Sequence, residues 1–157
     1  MGVFMDRIDR IDQAIIQELQ KYARITITEL STRVGLSKTP CQNRIKRLEE
    51  EGYILGYVAL INQKKMNASH VTYVQVTMNS TNSRALKAFN KAVRQIPEVE
   101  QCHMTAASFD YLLKVRTSDM NSYRLVLGEK IAALPYVQQT STFVVMEDIK
   151  DMEAGVL

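Results

Sequence analysis

The chain has 157 residues, room for one ordinary domain or two small ones, and at 46% hydrophobic it can give each a buried core. It has no run of about 18 apolar residues and no charged-then-apolar leader, and its two cysteines and two histidines are too few and too scattered for a disulfide framework or a metal-ligand cluster. A soluble cytoplasmic protein with no metal, cofactor or membrane partner is expected. The net charge of +3 falls entirely in residues 1–65, where 11 basic residues face 8 acidic ones, whereas residues 66–157 hold 9 of each. The first part is therefore the candidate nucleic-acid surface, and the neutral second part a candidate assembly or sensing surface.

A helix capped by Asp6 is predicted first, with Ile8, Ile11, Ile15 and Leu19 on one side and Asp9 and Asp12 near its start, where the helix dipole favours acids. Thr26 and Glu29 have the spacing of a reciprocal cap that opens a second helix. Leu30 and Val34 supply its buried side, and Gly35 allows a positive φ at its exit. Ser37 is expected to cap a third helix, with Pro40 in its first turn, where the missing N–H costs nothing. The sum is a helix-turn-helix with a basic second helix.

At 100° per residue, Cys41, Ile45 and Leu48 share the buried side of that helix, which makes Cys41 a packing residue, while Thr39, Gln42, Asn43 and Lys46 point the other way with Arg47 at the edge. Hydroxyl, amide and cationic groups with no carboxylate before Glu49 suit base edges and phosphates. The predicted DNA contacts are Ser37, Lys38, Thr39, Gln42, Asn43, Arg44, Lys46 and Arg47, with Arg44 and Arg47 on phosphates. Gly52 is a left-handed stop after the acidic turn Glu49-Glu50-Glu51, and Tyr53 to Ile61 reads as an extended wing or linking strand.

The polar stretch after Asn62 marks a boundary: residues 1–62 form the DNA-binding domain with its linking strand, 63–69 a hinge, 70–146 a second domain and 147–157 a tail. In the second domain a strand, a helix stripe and a strand occur twice. Val74, Val76 and Met78 alternate, Leu86, Phe89, Val93 and Ile96 recur until Pro97, and Val99 to Thr105 is extended. Then come Phe109, Tyr111, Leu113 and Val115, a helix carrying Met120, Tyr123, Leu127, Ile131 and Leu134 until Pro135, and a last strand from Val137 to Met146. The fold class is α+β, a winged helix-turn-helix followed by a ferredoxin-like βαββαβ domain with two helices on one sheet face. The other face, offering Tyr73, Cys102, Met104 and Leu112 or their neighbours, favours sheet-to-sheet dimerisation.

The chain resembles the Lrp/AsnC (feast/famine) family of transcription regulators over nearly its whole length. The resemblance is carried by Asp6-Arg7-Ile8-Asp9, Arg33-Val34-Gly35-Leu36-Ser37, Thr39-Pro40-Cys41, Arg44, Arg47-Leu48-Glu49, Gly56-Tyr57, Cys102-His103, Phe109 to Lys114, Asp119-Met120 and Val144 to Glu147. It implies a homodimer that assembles further, to an octamer or another multiple of dimers, binds double-stranded DNA and responds to an amino-acid effector. By position it maps the effector region to Met104, Ala107, Ser108, Asp110, Met120, Phe143, Val144 and Val145. The chain departs from the family at Ala106-Ala107-Ser108, where a glycine is usual; a Cβ at Ala107 restricts a positive φ and close approach of backbone to ligand.

Asp110 has two readings, a strand-end carboxylate capping a turn or the acceptor for an effector's α-amino group. An enzyme is not expected. Cys102 and His103 are adjacent on a strand and so point to opposite faces, and no paired carboxylates or phosphate loop occur elsewhere. The alternative to a ligand-gated regulator is an architectural, nucleoid-organising DNA-binding protein without an effector, a reading favoured by Ala107.

Overall fold

A computed structural model describes residues 8–149, and the chain divides between Ala59 and Leu60 into two compact units. The predicted cap Asp6 and most of the predicted tail lie outside the described residues. Among those described, no helix is long and apolar enough to cross a membrane.

In the first unit, α1 (Arg10–Lys21) begins at Asp9 rather than Asp6. The Asp9 side chain takes the Asp12 N–H at 2.8 Å while the Asp12 carboxylate takes the Asp9 N–H at 3.1 Å, so the first helix, not the second, carries a complete capping box. At α2 (Ile27–Arg33) only half of the predicted reciprocal cap forms. Thr26 Oγ1 accepts from Glu29 N at 3.2 Å, but the Glu29 carboxylate reaches forward to Arg33 at 2.6 Å. The corner to α3 (Lys38–Glu50) turns at Gly35, φ +71°, with Leu36 N bonded back to Ser31 O at 2.8 Å. Ser37 has the extended backbone of an N-cap, yet its hydroxyl bonds no helix N–H. Ile15, Leu30, Cys41, Ile45 and Leu48 form the core where the three helices meet.

Beyond α3, Ile54 N bonds Leu48 O at 3.0 Å and Tyr57 Oη donates to Glu49 at 2.8 Å. Among the described residues the strand predicted over Tyr53 to Ile61 does not form, since no other described segment pairs with it. The turn at 62–68, predicted as part of the boundary, belongs to the second unit: Ala68 N bonds Gln63 O at 3.0 Å and Ala68 O accepts from Arg116 at 3.2 Å.

The second unit has β1 (His70–Met78), α4 (Ser83–Val93), β2 (Val99–Met104), β3 (Tyr111–Thr117), α5 (Met120–Leu125) and β4 (Val137–Val144). The sheet is antiparallel in the order β2-β3-β1-β4, the ferredoxin-like arrangement. The predicted last helix changes geometry partway, α5 widening into a π-helical turn over Val126–Ile131 with Ala132 N bonded to Leu127 O at 2.8 Å. The wider turn places Val126 and Ile131, five apart, in the core and leaves Leu127 only partly buried.

Register assigns the faces, since residues directly opposite share one. Val74 lies between Leu113 and Thr142 on the helix-covered face; Tyr73 lies between Lys114 and Phe143 on the other. Tyr73 and Leu112 are on the open face as expected, but Cys102 and Met104 are not, because they pair with the core residues Leu113 and Tyr111. An irregularity at Glu100 is the cause: the ladder steps from Val99–Val115 to Gln101–Lys114, so Val99 and Cys102, three apart, face the same helices.

Candidate nucleic-acid interface and ligand region

The buried row Cys41, Ile45 and Leu48 seats α3 and fixes what its other sides present. Ser37, Lys38, Thr39, Gln42, Asn43 and Lys46 are all exposed along one side. Lys46, with its side chain 73% exposed, makes only a 3.6 Å contact to Glu50, one turn on. Such a face offers cations and short hydrogen-bonding groups to base edges and phosphates.

The structure does not bring Arg44 and Arg47 to that face. Arg44 Nη1 donates to Asp9 Oδ2 at 2.6 Å and to Asp12 Oδ1 at 2.8 Å, and Arg47 Nη2 donates to Asp12 Oδ2 at 2.6 Å. Asp12 is 1% exposed. Burial pushes its carboxyl upward, but hydrogen bonds from Arg44, the Asp9 backbone and Arg47 outweigh this and hold it below the usual carboxylate range. Asp9 is lowered by the Asp12 N–H and then by Arg44, and both arginines are raised, chiefly by hydrogen bonding to Asp12. Sequence reading missed this cluster because it took Asp9 and Asp12 as dipole partners of their own helix. The signal was there: two acids three apart and two arginines three apart, each pair able to line one helix edge.

The predicted effector residues fall into two groups. Met104, Ala107, Ser108 and Asp110 belong to the β2–β3 connection, where Asp110 N bonds Val76 O at 2.9 Å and Asp110 Oδ2 accepts from Met78 N at 2.7 Å. Phe143, Val144 and Val145 lie at the other end of the same strand β1, opposite Tyr73, Thr72 and Val71, and Met120 opens α5 after the Thr117–His70 pair at that end. With about 3.3 Å per strand residue, the groups are roughly 20 Å apart. Phe143 and Val144 also point to opposite faces.

A cavity of about 510 Å³ opens between α4 and β2, lined by Asn90, Val93, Arg94, Cys102, Met104 and Tyr111 among others, so Met104 is the one predicted effector residue that reaches it. Ala107 does not have a positive φ; among the described non-glycine residues only Asn67 and Tyr136 do. What its Cβ alters in this loop is therefore space, not backbone strain. Among the described residues no group of three His, Cys, Asp or Glu side chains could hold a metal ion.

A winged helix-turn-helix followed by a small ferredoxin-like domain, with an exposed face on the second helix of the motif that carries no acid before Glu49, defines a two-domain DNA-binding regulator. Residues 8–54 match the family model for a winged helix-turn-helix DNA-binding domain, and residues 71–154 that for the Lrp/AsnC ligand-binding domain. The chain is 54% identical to a proline dehydrogenase transcriptional activator of Rhizobium radiobacter over 93% of its length and 94% of the relative's. It is 48% identical to the leucine-responsive regulatory protein of Escherichia coli K12 over 91% of its length and 87% of that protein's. A transcriptional regulator from Neisseria meningitidis, solved with L-Met, superposes with a TM-score of 0.88 at 32% identity, covering 92% of this chain and 94% of the other. The chain belongs to the Lrp/AsnC family of transcription regulators.

Proposed function

We propose that the chain binds duplex DNA as a homodimer or a multiple of dimers through Ser37, Lys38, Thr39, Gln42, Asn43 and Lys46, and that an amino acid bound by the second unit shifts its DNA affinity. The exposed, carboxylate-free row on α3 carries the first part. The second part is supported by the relatives, one named for leucine response and one solved with L-Met. The two predicted effector groups, far apart in one chain, meet only if a second copy brings its own; an effector site built between copies would make ligand binding and assembly one equilibrium. The uncovered sheet face with Tyr73, Leu112 and Phe143 supplies a surface for the dimer. Action on DNA as a cytoplasmic, non-catalytic protein follows from the same reading.

Thermal unfolding against the twenty amino acids at millimolar concentration tests the ligand: saturation at 100 times Kd raises stability by about 2.7 kcal/mol. A shift with one or a few, larger at higher protein concentration, is the expected result. No shift with any would favour the second reading, an effector-independent architectural protein, which the Cβ of Ala107 in the ligand loop supports. For DNA, Asn43→Ala is expected to relax sequence preference by about 1–3 kcal/mol while random-duplex binding holds, measured by fluorescence anisotropy on selected and random duplexes.

A further inference from the structure

The Asp12 cluster spans the two helices whose relation sets how α3 is presented. Asp9 at the N-cap and Asp12 in the first turn of α1 cap it reciprocally, and the same two carboxylates take the guanidinium groups of Arg44 and Arg47. Glu51, 3.3 Å from Arg47, joins the cluster as a third acid, and the centre of the cluster, Asp12, is the most buried carboxylate among the described residues of the unit. A phosphate that drew either arginine away would leave Asp12 buried with one partner fewer, and removing a partner from a buried charge costs more than an exposed contact returns. Lys46 has only an exposed 3.6 Å contact to Glu50 to give up, and Lys38 is exposed at the start of α3.

We infer that Asp12 is the positioning residue of the recognition helix: it fixes α3 against α1 and keeps Arg44 and Arg47 off the duplex, so that Lys38 and Lys46 make the phosphate contacts of this helix. The inference rests on the reading of α3 as the DNA-facing helix, and it reverses the role that the charge run in the sequence suggests for the two arginines. It makes Asp12 a determinant of sequence discrimination although it touches no base. A tilt of α3 displaces Gln42 and Asn43 together, and bidentate base contacts depend on their placement.

The test uses the full chain, a duplex selected by it from a random pool and an unselected duplex, with affinities measured across a salt series. Lys46→Ala is expected to reduce the salt slope by about 0.9, the loss of one neutralised phosphate. Arg47→Met, which keeps the aliphatic stem, is expected to leave the slope unchanged. Asp12→Asn is expected to lower the selected-to-random affinity ratio about tenfold, the worth of roughly one base contact. Combining it with Arg47→Met should lower the ratio no further than Asp12→Asn alone.

A slope reduction by Arg47→Met equal to that of Lys46→Ala would overturn the inference, placing the arginine on phosphate. An unchanged ratio for Asp12→Asn, assayed well below its melting temperature, would overturn it too, leaving the residue a role in stability alone. Should Asp12→Asn not fold, Arg47→Met, which retains the Asp12–Arg44 pair, decides the matter by its slope. If Lys38→Ala, Lys46→Ala and Asn43→Ala all leave binding intact, α3 is not the DNA-facing helix and the inference falls with that reading. Loss in the lysine variants without loss in Arg47→Met supports both.

Discussion

The proposed DNA-facing side of α3 and the predicted effector residues of the second unit are built in opposite ways. On α3 the exposed groups from Ser37 to Lys46 lie within ten residues of sequence, and one buried row decides where all of them point. In the second unit, residues from Met104 to Val145 are sorted by strand register, and they end up at two ends of one sheet. A helical site is local and can be read from periodicity; a sheet site is assembled by pairing and, in the function proposed above, also by a second copy. Mutations should therefore act one residue at a time on α3 and through domain integrity or assembly in the second unit.

The largest expected effect tests that contrast in the second unit. Phe89 is fully buried and its ring lies 4.3 Å from that of Tyr111, so Phe89→Ala should cost about 3–5 kcal/mol, read by denaturant unfolding. If the units are as separate as their cores, a lower-lying transition shifts and the unfolding of the helical unit holds its place. One transition moving as a whole would show that the cores are coupled.

Acid should act on both units, on the helical one through Asp9 and Asp12 and on the second through Glu98 and Asp119, whose carboxyls are likewise held low, by the Lys130 ammonium and by the Ser122 N–H. Asp9 and Asp12 have folded values below their ordinary ones, so the stability they contribute is fully present above about pH 4 and is lost as pH falls through the depressed values. A melting series from pH 7 to 3 should show that loss, and Asp12→Asn should flatten it. At the other extreme, burial and then the Glu49 carboxylate push the Tyr57 phenol up to about 12, so it remains a protonated donor toward α3 throughout that series.

Asp110→Asn separates the two readings of that residue. Its carboxylate accepts from Met78 N at 2.7 Å, beside the irregularity of β1 at Thr77/Met78, and weakening a charge-assisted bond of this kind should cost about 1–2 kcal/mol. A structural role alone leaves any amino-acid response intact at a lower melting temperature. Loss of the response, with the dimer retained by light scattering, would put its carboxylate on the ligand.

The overall architecture was legible in the sequence because it rests on burial. The stripes of the helices, the alternation of β1 and β3, and the stops at Gly35, Gly52 and Pro97 are all local signals of what is inside. The errors share a cause of another kind. The face of Cys102 depends on one irregular residue, Glu100; the burial of Val126 depends on a π-helical turn; and the direction of Arg44 and Arg47 depends on carboxylates more than thirty residues away. Local pattern cannot report a partner supplied by tertiary contact. The charge run on α3 therefore divides in a way the sequence does not report, into an outer exposed row and an inner flank bound to Asp9 and Asp12.

The smallest effect expected on stability is also the one that probes the start of α3. Thr26 and Ser37 both occupy N-cap positions, but only Thr26 uses its hydroxyl there. Thr26→Ala should cost about 1 kcal/mol and leave DNA affinity alone, whereas Ser37→Ala should cost less than about 0.5 kcal/mol, since the hydroxyl it removes caps nothing. A serine that keeps the N-cap backbone without spending its side chain on the helix has a donor ready next to Lys38, at the end of α3 that the proposed binding mode inserts into the groove. Ser37→Ala should then weaken binding to selected and random duplexes alike, by about fivefold for one neutral hydrogen bond. A cap-sized loss of stability with unchanged affinity would instead assign the hydroxyl to the helix terminus, and the outer row of α3 would begin at Lys38.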